Sequence, residues 1–421
     1  MKTKAIRLYG ENDLRLEEYE LPKMKDDEIL AKIITDSVCM STYKLSKQGE
    51  KHKRTPDNLK ENPAVIGHEL SGIIIEVGDK WKDKYKKGQK FTVQPAVSVD
   101  GKVKTVGYYY QYYGGDSTYS IIPNEVMEND CLIPFNGDSF FEASLSEPVS
   151  CIIAGYNRIY HTNDENHIHS MGVKKNGKIA ILGACGPMGL ECIDYALQLE
   201  DAPSLVVAVD VSEDRLKRAE KLLSKKAQKD TKIVFVNSNA YEDSTSKLME
   251  LSDNEGYDDV FVYAPITPLI EQADSILGKD GCLNFFAGPI DKTLSANINM
   301  YNVHYNYTHI TGFTGSTNQD VLDALSLMEE GRLSPTIMVT HIGGLDSAIY
   351  ATQNVPDIPG GKKMIYTQID MPLTAIDDFE KLGEDNELFK RLYEECKKYD
   401  GCWNKDAEKV LLDYYNISLN E

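Results

Sequence analysis

No stretch of the chain approaches the roughly twenty consecutive apolar residues of a membrane span. The N-terminus, MKTKAIRLYGENDLRLEEY, reads as strand and turn without the apolar run of a secretory leader. Positive charge is also short: 46 Lys and Arg against 66 Asp and Glu give a formal charge of −20. That field repels nucleic-acid phosphate and anionic membrane surfaces, so an anionic substrate would need a local basic pocket. Internal repeats and low-complexity segments are missing. Cysteine is sparse and unpatterned: Cys39, Cys131, Cys151, Cys185, Cys192, Cys282, Cys396 and Cys402 suit reduced thiols better than a disulfide framework. With these classes excluded, 41% hydrophobic and 27% charged residues describe an ordinary globular protein, expected in the cytoplasm. Its 421 residues favour two domains and an added terminal piece.

The texture of the chain changes once. Up to about residue 125, short alternating runs such as EILAKIITDSV and SGIIIEVGDKW, separated by Gly, Asp and Lys turns, predict an antiparallel, barrel-like region. Within it, GYYYQYYGGDSTYSII reads as strand packing. From about 176, NGKIAILGACGPMGLECIDYALQLEDAPSLVVAVD gives strand, Gly-rich turn, helix and strand, a βαβ unit. KIVFVNS, YDDVFVYA, GCLNFFAG and THITGF continue it, so an open parallel sheet is expected. The helix NQDVLDALSLMEEGRL and strands around PTIMVTHIGG and KKMIYTQI then return chain to the β-rich domain, and a charged, helical-looking tail begins near 371.

Gly183, Gly186 and Gly189, with Pro187 and Met188 between them, fall between a predicted strand and a predicted helix. There a dinucleotide fold turns tightly and offers helix N–H groups to a pyrophosphate. The spacing is GxxGxxG, so the βαβ context carries the reading rather than the pattern. Asp210 ends the next strand, where an acid bonds the ribose diol and repels a 2′-phosphate. This favours NAD(H), while Arg215 and Lys217 in the following helix leave room for NADP(H) or form a solvated basic face.

In the first domain, Cys39 in SVCMSTYK, His68 and Glu69 in PAVIGHELSG, and Glu147 in SLSEPVSC supply a thiolate, an imidazole and carboxylates. Singly, each reads as a buried thiol, a core histidine or a helix N-terminal acid before proline. Together they suit a catalytic zinc with an exchangeable position.

The C-x-S loop, GHE before an SG turn, the EP motif, the following nucleotide unit, and the late segments VTHIGGLDSAIYA and GGKKMIY together resemble the medium-chain zinc dehydrogenases in order over nearly the whole chain to about 370. The resemblance implies an α/β protein. A GroES-like β-barrel catalytic domain would be built from residues 1–155 and 316–421, and a Rossmann doubly wound parallel-sheet domain from 156–315. It also implies that Cys39, His68 and Glu69 hold one catalytic zinc, with Glu147 an exchangeable fourth ligand. Zinc would polarise the substrate oxygen, Ser41 would pass the substrate proton, and hydride would move to or from the nicotinamide. Residues 90 to 130 contain no cysteine, so the family's structural zinc is not expected. Thr42 and Lys44 replace the family's Asp and His; Lys44 would relay a proton if its pKa were lowered, or bind cofactor or phosphate.

The implied Cys, His, Glu, Glu set is similar to that of polyol dehydrogenases. More narrowly, CMSTYK before KQGEKHKR, SEPVSCIIAGYNRIYHT and GPMGLECIDYAL resemble the L-sorbose 1-phosphate reductases, which implies interconversion of L-sorbose 1-phosphate and D-glucitol 6-phosphate. Lys44, Lys47, Lys51, His52, Lys53 and Arg54 concentrate positive charge after the metal loop, where they could hold a phosphate or form a solvated loop. Two other functions stay open: a dehydrogenase of free polyols such as sorbitol, and a zinc-free dinucleotide-binding regulator. His161, His167 and His169 read as a surface cluster rather than a second metal site. The family is usually dimeric or tetrameric, and exposed strands such as LNFFAG are candidates for homo-oligomer pairing.

Overall fold

The computed structural model of the protein describes residues 1–162 and 166–419. The chain forms two compact units: Met1–Pro148, Thr317–Glu329 and Val339–Glu421 in the first, and Val149–Ser316 with Glu330–Met338 in the second.

The first unit is organised around the strand Ile29–Ser37, every residue of which is buried, as its apolar run dictates. It pairs antiparallel with Leu70–Val77, Tyr119–Ile122 and Lys362–Tyr366, so that one strand joins the early and late parts of the chain. The register of these ladders aligns their ends. Asp36 lies opposite Leu70, which brings the residues just after the first strand beside those just before the second. Met364 lies opposite Ser37, and two residues further along that ladder Lys362 comes abreast of Cys39.

The long helix Phe140–Arg158 carries Glu147 in its interior and contains Pro148. Glu147 is therefore mid-helical, not at a helix N-terminus before an N1 proline. The tyrosine run corrects a second expectation. Tyr108, Tyr110 and Tyr113 are buried packing residues, but they lie in turns, and only Tyr119–Ile122 is strand.

Beyond residue 371 the amphipathic helices Glu387–Lys397 and Lys405–Tyr414 bury Leu388, Leu392, Cys396, Ala407, Leu411 and Leu412 with Trp403. These share one core with Phe140, Phe141, Val339, Ile342 and Tyr366. The tail completes the first unit rather than hanging from it.

In the second unit the strands Lys232–Asn237, Leu205–Asp210, Lys178–Leu182, Tyr257–Val262, Leu277–Phe285 and His309–Gly312 lie side by side in that order, all parallel. Chain direction across the sheet reverses at Lys178–Leu182, and the crevice at the carboxyl end of that strand is where such sheets take ligands. LNFFAG is not an exposed strand: Leu283–Phe285 is hydrogen-bonded on both sides, and the sheet's edges are Lys232–Asn237 and His309–Gly312. Among the described residues no helix is long and apolar enough to cross a membrane.

Deleting residues 371–421 should leave the first unit unable to fold. Truncating one buried Leu to Ala costs about 2–5 kcal/mol, against a total stability of about 5–15 kcal/mol. Soluble yield and thermal melting measure this; an unchanged melting transition would contradict it.

Candidate active site

Cys39 follows the strand Ile29–Ser37 by two residues and occupies the N-cap position of the helix Met40–Gln48, while His68 and Glu69 immediately precede Leu70–Val77. The antiparallel pairing of the two strands therefore folds these distant residues into one place. Their ligand atoms, Cys39 Sγ, a His68 ring nitrogen and a Glu69 carboxylate oxygen, all lie within 4.8 Å of one another. Ligands at zinc's bond lengths of about 2.0–2.3 Å sit roughly 3.3–3.8 Å apart on a tetrahedron, so small side-chain rotations are enough for the trio to close on an ion. The residues present thus fit a zinc ion by donor chemistry and by spacing.

Gly67 is needed for the approach. It has φ +91°, and a Cβ there would meet the Asp116 backbone nitrogen at 2.6 Å.

Hydroxyls orient the trio. Ser41 Oγ donates to Cys39 Sγ at 3.0 Å and lies 3.2 Å from His68 Nε2. Thr42 Oγ1 lies 3.3 Å from His68 Nδ1. The threonine thus meets the ring nitrogen that faces away from the cluster, the orienting role that a ligand histidine's other nitrogen requires. Tyr108 packs edge-on against His68, with ring centroids 5.3 Å apart.

The electrostatics are those of buried acids with little compensation. Lys362 Nζ donates to both oxygens of Glu69, at 2.5 and 2.6 Å, with both side chains nearly solvent-free. Burial alone would raise Glu69, but Lys362 and His68 bring it below the usual carboxylate value. Burial opposes the charge of Lys362, yet Glu69 and Cys39 raise it above an ordinary lysine. Burial and then Glu69 raise the Cys39 thiol, with Lys362 and Ser41 acting the other way.

Glu147 lies outside the close trio but interacts with all of it. Burial lifts it to about 7, with Glu69 and Cys39 adding to the rise and His68 and Lys362 opposing it. Two further acids stand behind. Asp36 accepts the Glu69 N–H at 3.1 Å; burial, then Asp116 and Glu69, push its pKa well up. Burial raises Asp116 to about 7, and its Oδ1 is buried without a hydrogen-bond partner.

Sequence reasoning missed Lys362, Asp36 and Asp116. Two adjacent lysines opening the apolar strand KKMIY were a usable signal, since alternation turns one of them inward. Asp36 in the apolar run ILAKIITDS was another.

Lys44 is half-buried, and burial lowers its pKa while Cys39 acts in the opposite sense. The basic loop is only partly cationic. Lys51 is paired with Glu11 at 2.7 Å, and the Lys47 ammonium lies 5.4 Å from the centre of the Tyr43 ring. Burial, then Arg54 and Lys53, push His52 down to about 4, so it is neutral at pH 7. Its Nδ1 accepts the Arg54 N–H at 3.3 Å, which leaves the proton on Nε2. The His52 ring lies 5.3 Å from that of Tyr108, the same ring that packs on His68.

In the second unit, Gly183 (φ +76°) makes the turn after Lys178–Leu182, and Gly186 caps the helix Pro187–Gln198 with Pro187 and Met188 in its first turn. Gly189 allows close packing, because a Cβ there would sit 2.5 Å from the Ala184 carbonyl. Asp210 ties this loop to the next strand. Its Oδ2 accepts from the Cys185 N–H at 3.0 Å, and its Oδ1 from the N–H groups of Val211 and Ser212. Arg215 Nη2 approaches Oδ1 at 3.1 Å.

Of the three histidines, His167 and His169 are exposed, as a surface cluster requires, but His161 is not. His161 is buried, with Nε2 3.2 Å from Asp259 Oδ1 and Nδ1 3.0 Å from the Asp280 carbonyl. The rings of His169 and His309 stack on Tyr160 at 4.4 and 4.1 Å. Asn163, Asp164 and Glu165 lie outside the described residues. None of the eight cysteines is disulfide-bonded, and every one except Cys39 is buried.

A glycine turn at the switch point of a parallel sheet, together with a thiol, imidazole and carboxylate cluster in a β-rich unit, defines a zinc- and nicotinamide-dependent oxidoreductase. Residues 25–129 match the model of the alcohol dehydrogenase GroES-like domain, and residues 187–330 that of the zinc-binding dehydrogenases. The chain is 45% identical to the mannitol-1-phosphate 5-dehydrogenase of Aliivibrio fischeri, over 100% of this chain and 99% of the relative. It is 43% identical to the L-sorbose 1-phosphate reductase of Klebsiella pneumoniae, over 97% of each. The crystal structure of 2R,3R-butanediol dehydrogenase from Bacillus subtilis superposes with a TM-score of 0.71 at 21% identity, covering 87% of this chain and 99% of the other. The chain belongs to the zinc-dependent medium-chain dehydrogenase family, as an enzyme of its alcohol and polyol dehydrogenase class.

Thr42→Val removes the oxygen that faces His68 Nδ1 while keeping side-chain volume. Loss of such a partner weakens metal binding by about 10–100-fold, which competition with a chromophoric chelator measures; unchanged zinc affinity would contradict the orienting role.

Proposed function

We propose that the enzyme reduces L-sorbose 1-phosphate to D-glucitol 6-phosphate with NADH, using a single catalytic zinc. The observation that carries this reading is the ring contact from His52 through Tyr108 to His68. It sets the basic loop, with Lys53, Arg54 and a neutral His52 donor, beside a metal-ligand candidate in a chain of net charge −20. Two relatives above 40% identity over nearly the full chain are named for phosphorylated sugars or polyols, which favours the same chemistry here.

Cys39, His68 and Glu69 would hold the zinc, with Glu147 exchanging with water or substrate. Bound zinc supplies the Lewis acid that polarises the substrate oxygen, and the nicotinamide supplies the hydride. The Ser41 hydroxyl touches both Cys39 Sγ and His68 Nε2 and holds the proton that the substrate oxygen gains on reduction. Lys44 lies one helical turn further on, and its lowered pKa suits proton relay. Among the described residues Asp210 Oδ2 accepts from one donor only, leaving a lone pair for a ribose hydroxyl; the same carboxylate repels a 2′-phosphate, while Arg215 leaves some NADPH use open.

A second reading, oxidation of mannitol 1-phosphate, is favoured by the 45% identical relative. The decisive assay compares kcat/KM for NADH-dependent reduction of L-sorbose 1-phosphate and free L-sorbose on zinc-replete enzyme. We expect a preference on the order of 100-fold, or about 2.7 kcal/mol of transition-state binding, lost in Lys53→Ala/Arg54→Ala. Equal values would indicate a free polyol dehydrogenase. Faster NAD-dependent oxidation of mannitol 1-phosphate than of D-glucitol 6-phosphate would select the second reading. Purification without stoichiometric zinc would favour the dinucleotide-binding regulator.

The enzyme is proposed to work as a homo-oligomer, dimer or tetramer. The outer strand His309–Gly312 presents Ile310, with Met300, Tyr301 and Tyr305 exposed on the preceding helix. Sedimentation of monomer alone at micromolar concentration would dismiss this.

A further inference from the structure

The helix Phe140–Arg158 begins with backbone N–H groups that have no partner within the helix. Ser139 Oγ takes the N–H of Glu142 at 3.3 Å. The N–H groups of Phe140 and Phe141 are satisfied from the far end of the chain: they donate to Glu408 Oε2 at 2.8 Å and to Glu408 Oε1 at 2.9 Å. Glu408 belongs to the C-terminal helix Lys405–Tyr414 and is buried. Tyr366 Oη donates to its Oε1 at 3.0 Å, and Trp403 Nε1 donates to Tyr366 Oη at 2.8 Å. Burial pushes the carboxyl up to about 7, against the pull of these three donors.

The other side of the same turn is also held. The Phe140 carbonyl accepts from Ser71 Oγ at 2.7 Å and from Thr35 Oγ1 at 3.1 Å, and Thr35 also bonds Ser144. Thr35 and Ser71 stand on the strands that lead into Cys39 and out of Glu69. Glu147 lies seven residues after Phe140, two turns along the same helix face. Pro148 removes only the bond from its own position to the Ser144 carbonyl, and the i→i−4 bonds up to Glu147 join its turn to the capped one.

We propose that Glu408 is a positioning residue for the metal site: through the helix cap it makes with Phe140 and Phe141, the C-terminal extension sets where the Glu147 carboxylate stands. This rests on the reading that Glu147 serves the metal.

The test uses full-length protein loaded with cobalt in place of zinc, comparing Glu408→Gln, Glu147→Gln and Leu411→Ala. Glu408→Gln puts an amide N–H₂ against a backbone donor, whereas Leu411→Ala loosens the same tail without touching the cap. We expect Glu408→Gln to shift the cobalt d–d spectrum in the same sense as Glu147→Gln, to weaken metal retention about ten-fold, and to lower kcat more than it raises KM for NADH. Leu411→Ala should lower the melting temperature at least as much and leave the spectrum and retention unchanged. If Glu408→Gln does not fold, Tyr366→Phe, which removes one donor from Glu408, should give a smaller shift in the same direction. A spectrum altered by Glu147→Gln but not by Glu408→Gln or Tyr366→Phe overturns the positioning role alone. A spectrum unchanged in Glu147→Gln as well overturns the role of Glu147 in the site, and this proposal with it.

Discussion

A carboxylate cannot be buried without a partner, and in this protein Glu69 finds its partner in Lys362, almost three hundred residues away in the chain. The pair decides the electrostatics around it. Asp36, Asp116 and Glu147 are buried nearby, and burial moves all three toward the protonated form. A site with this excess of acids, a thiol and an imidazole is one in which a divalent cation offsets charge that protons otherwise neutralise. Cation binding there is expected to release protons.

The first unit is built to make that pairing possible. Lys362 reaches Glu69 because the late strand Lys362–Tyr366 is zipped antiparallel onto Ile29–Ser37, and the strand carrying Glu69's neighbours is zipped onto its other side. Lys363, next in sequence, points the other way and bonds the carbonyls of Ile358 and Gly361. The C-terminal helices fill the core beneath, and Glu408 caps the helix that bears Glu147. The candidate metal ligands, charge compensation and helix cap thus come from five separate stretches of chain whose strands and helices share one hydrophobic core.

Much of this was legible in the sequence. The parallel sheet could be read because apolar strands, a Gly-rich turn and amphipathic helices recur in order, and the clustering of Cys39, His68 and Glu69 because a thiol and GHE stand in short segments around predicted strands. What could not be read is what tertiary pairing creates. Glu408 lies in a charged helix whose own residues say nothing of Phe140, and Thr42 departs from the family's Asp yet still meets His68 Nδ1. LNFFAG failed for the converse reason: an apolar run does not reveal whether a sixth strand covers it, and His309–Gly312 does. The tyrosine run was apolar enough to be core, but its glycines and bends keep it out of the sheet.

The most direct test of the account is anomalous scattering at the zinc edge from crystals of the purified enzyme. The account predicts one peak per chain, coordinated by Cys39, His68 and Glu69 with Glu147 alongside. A chain without zinc, or zinc bound away from Cys39 and His68, would contradict it.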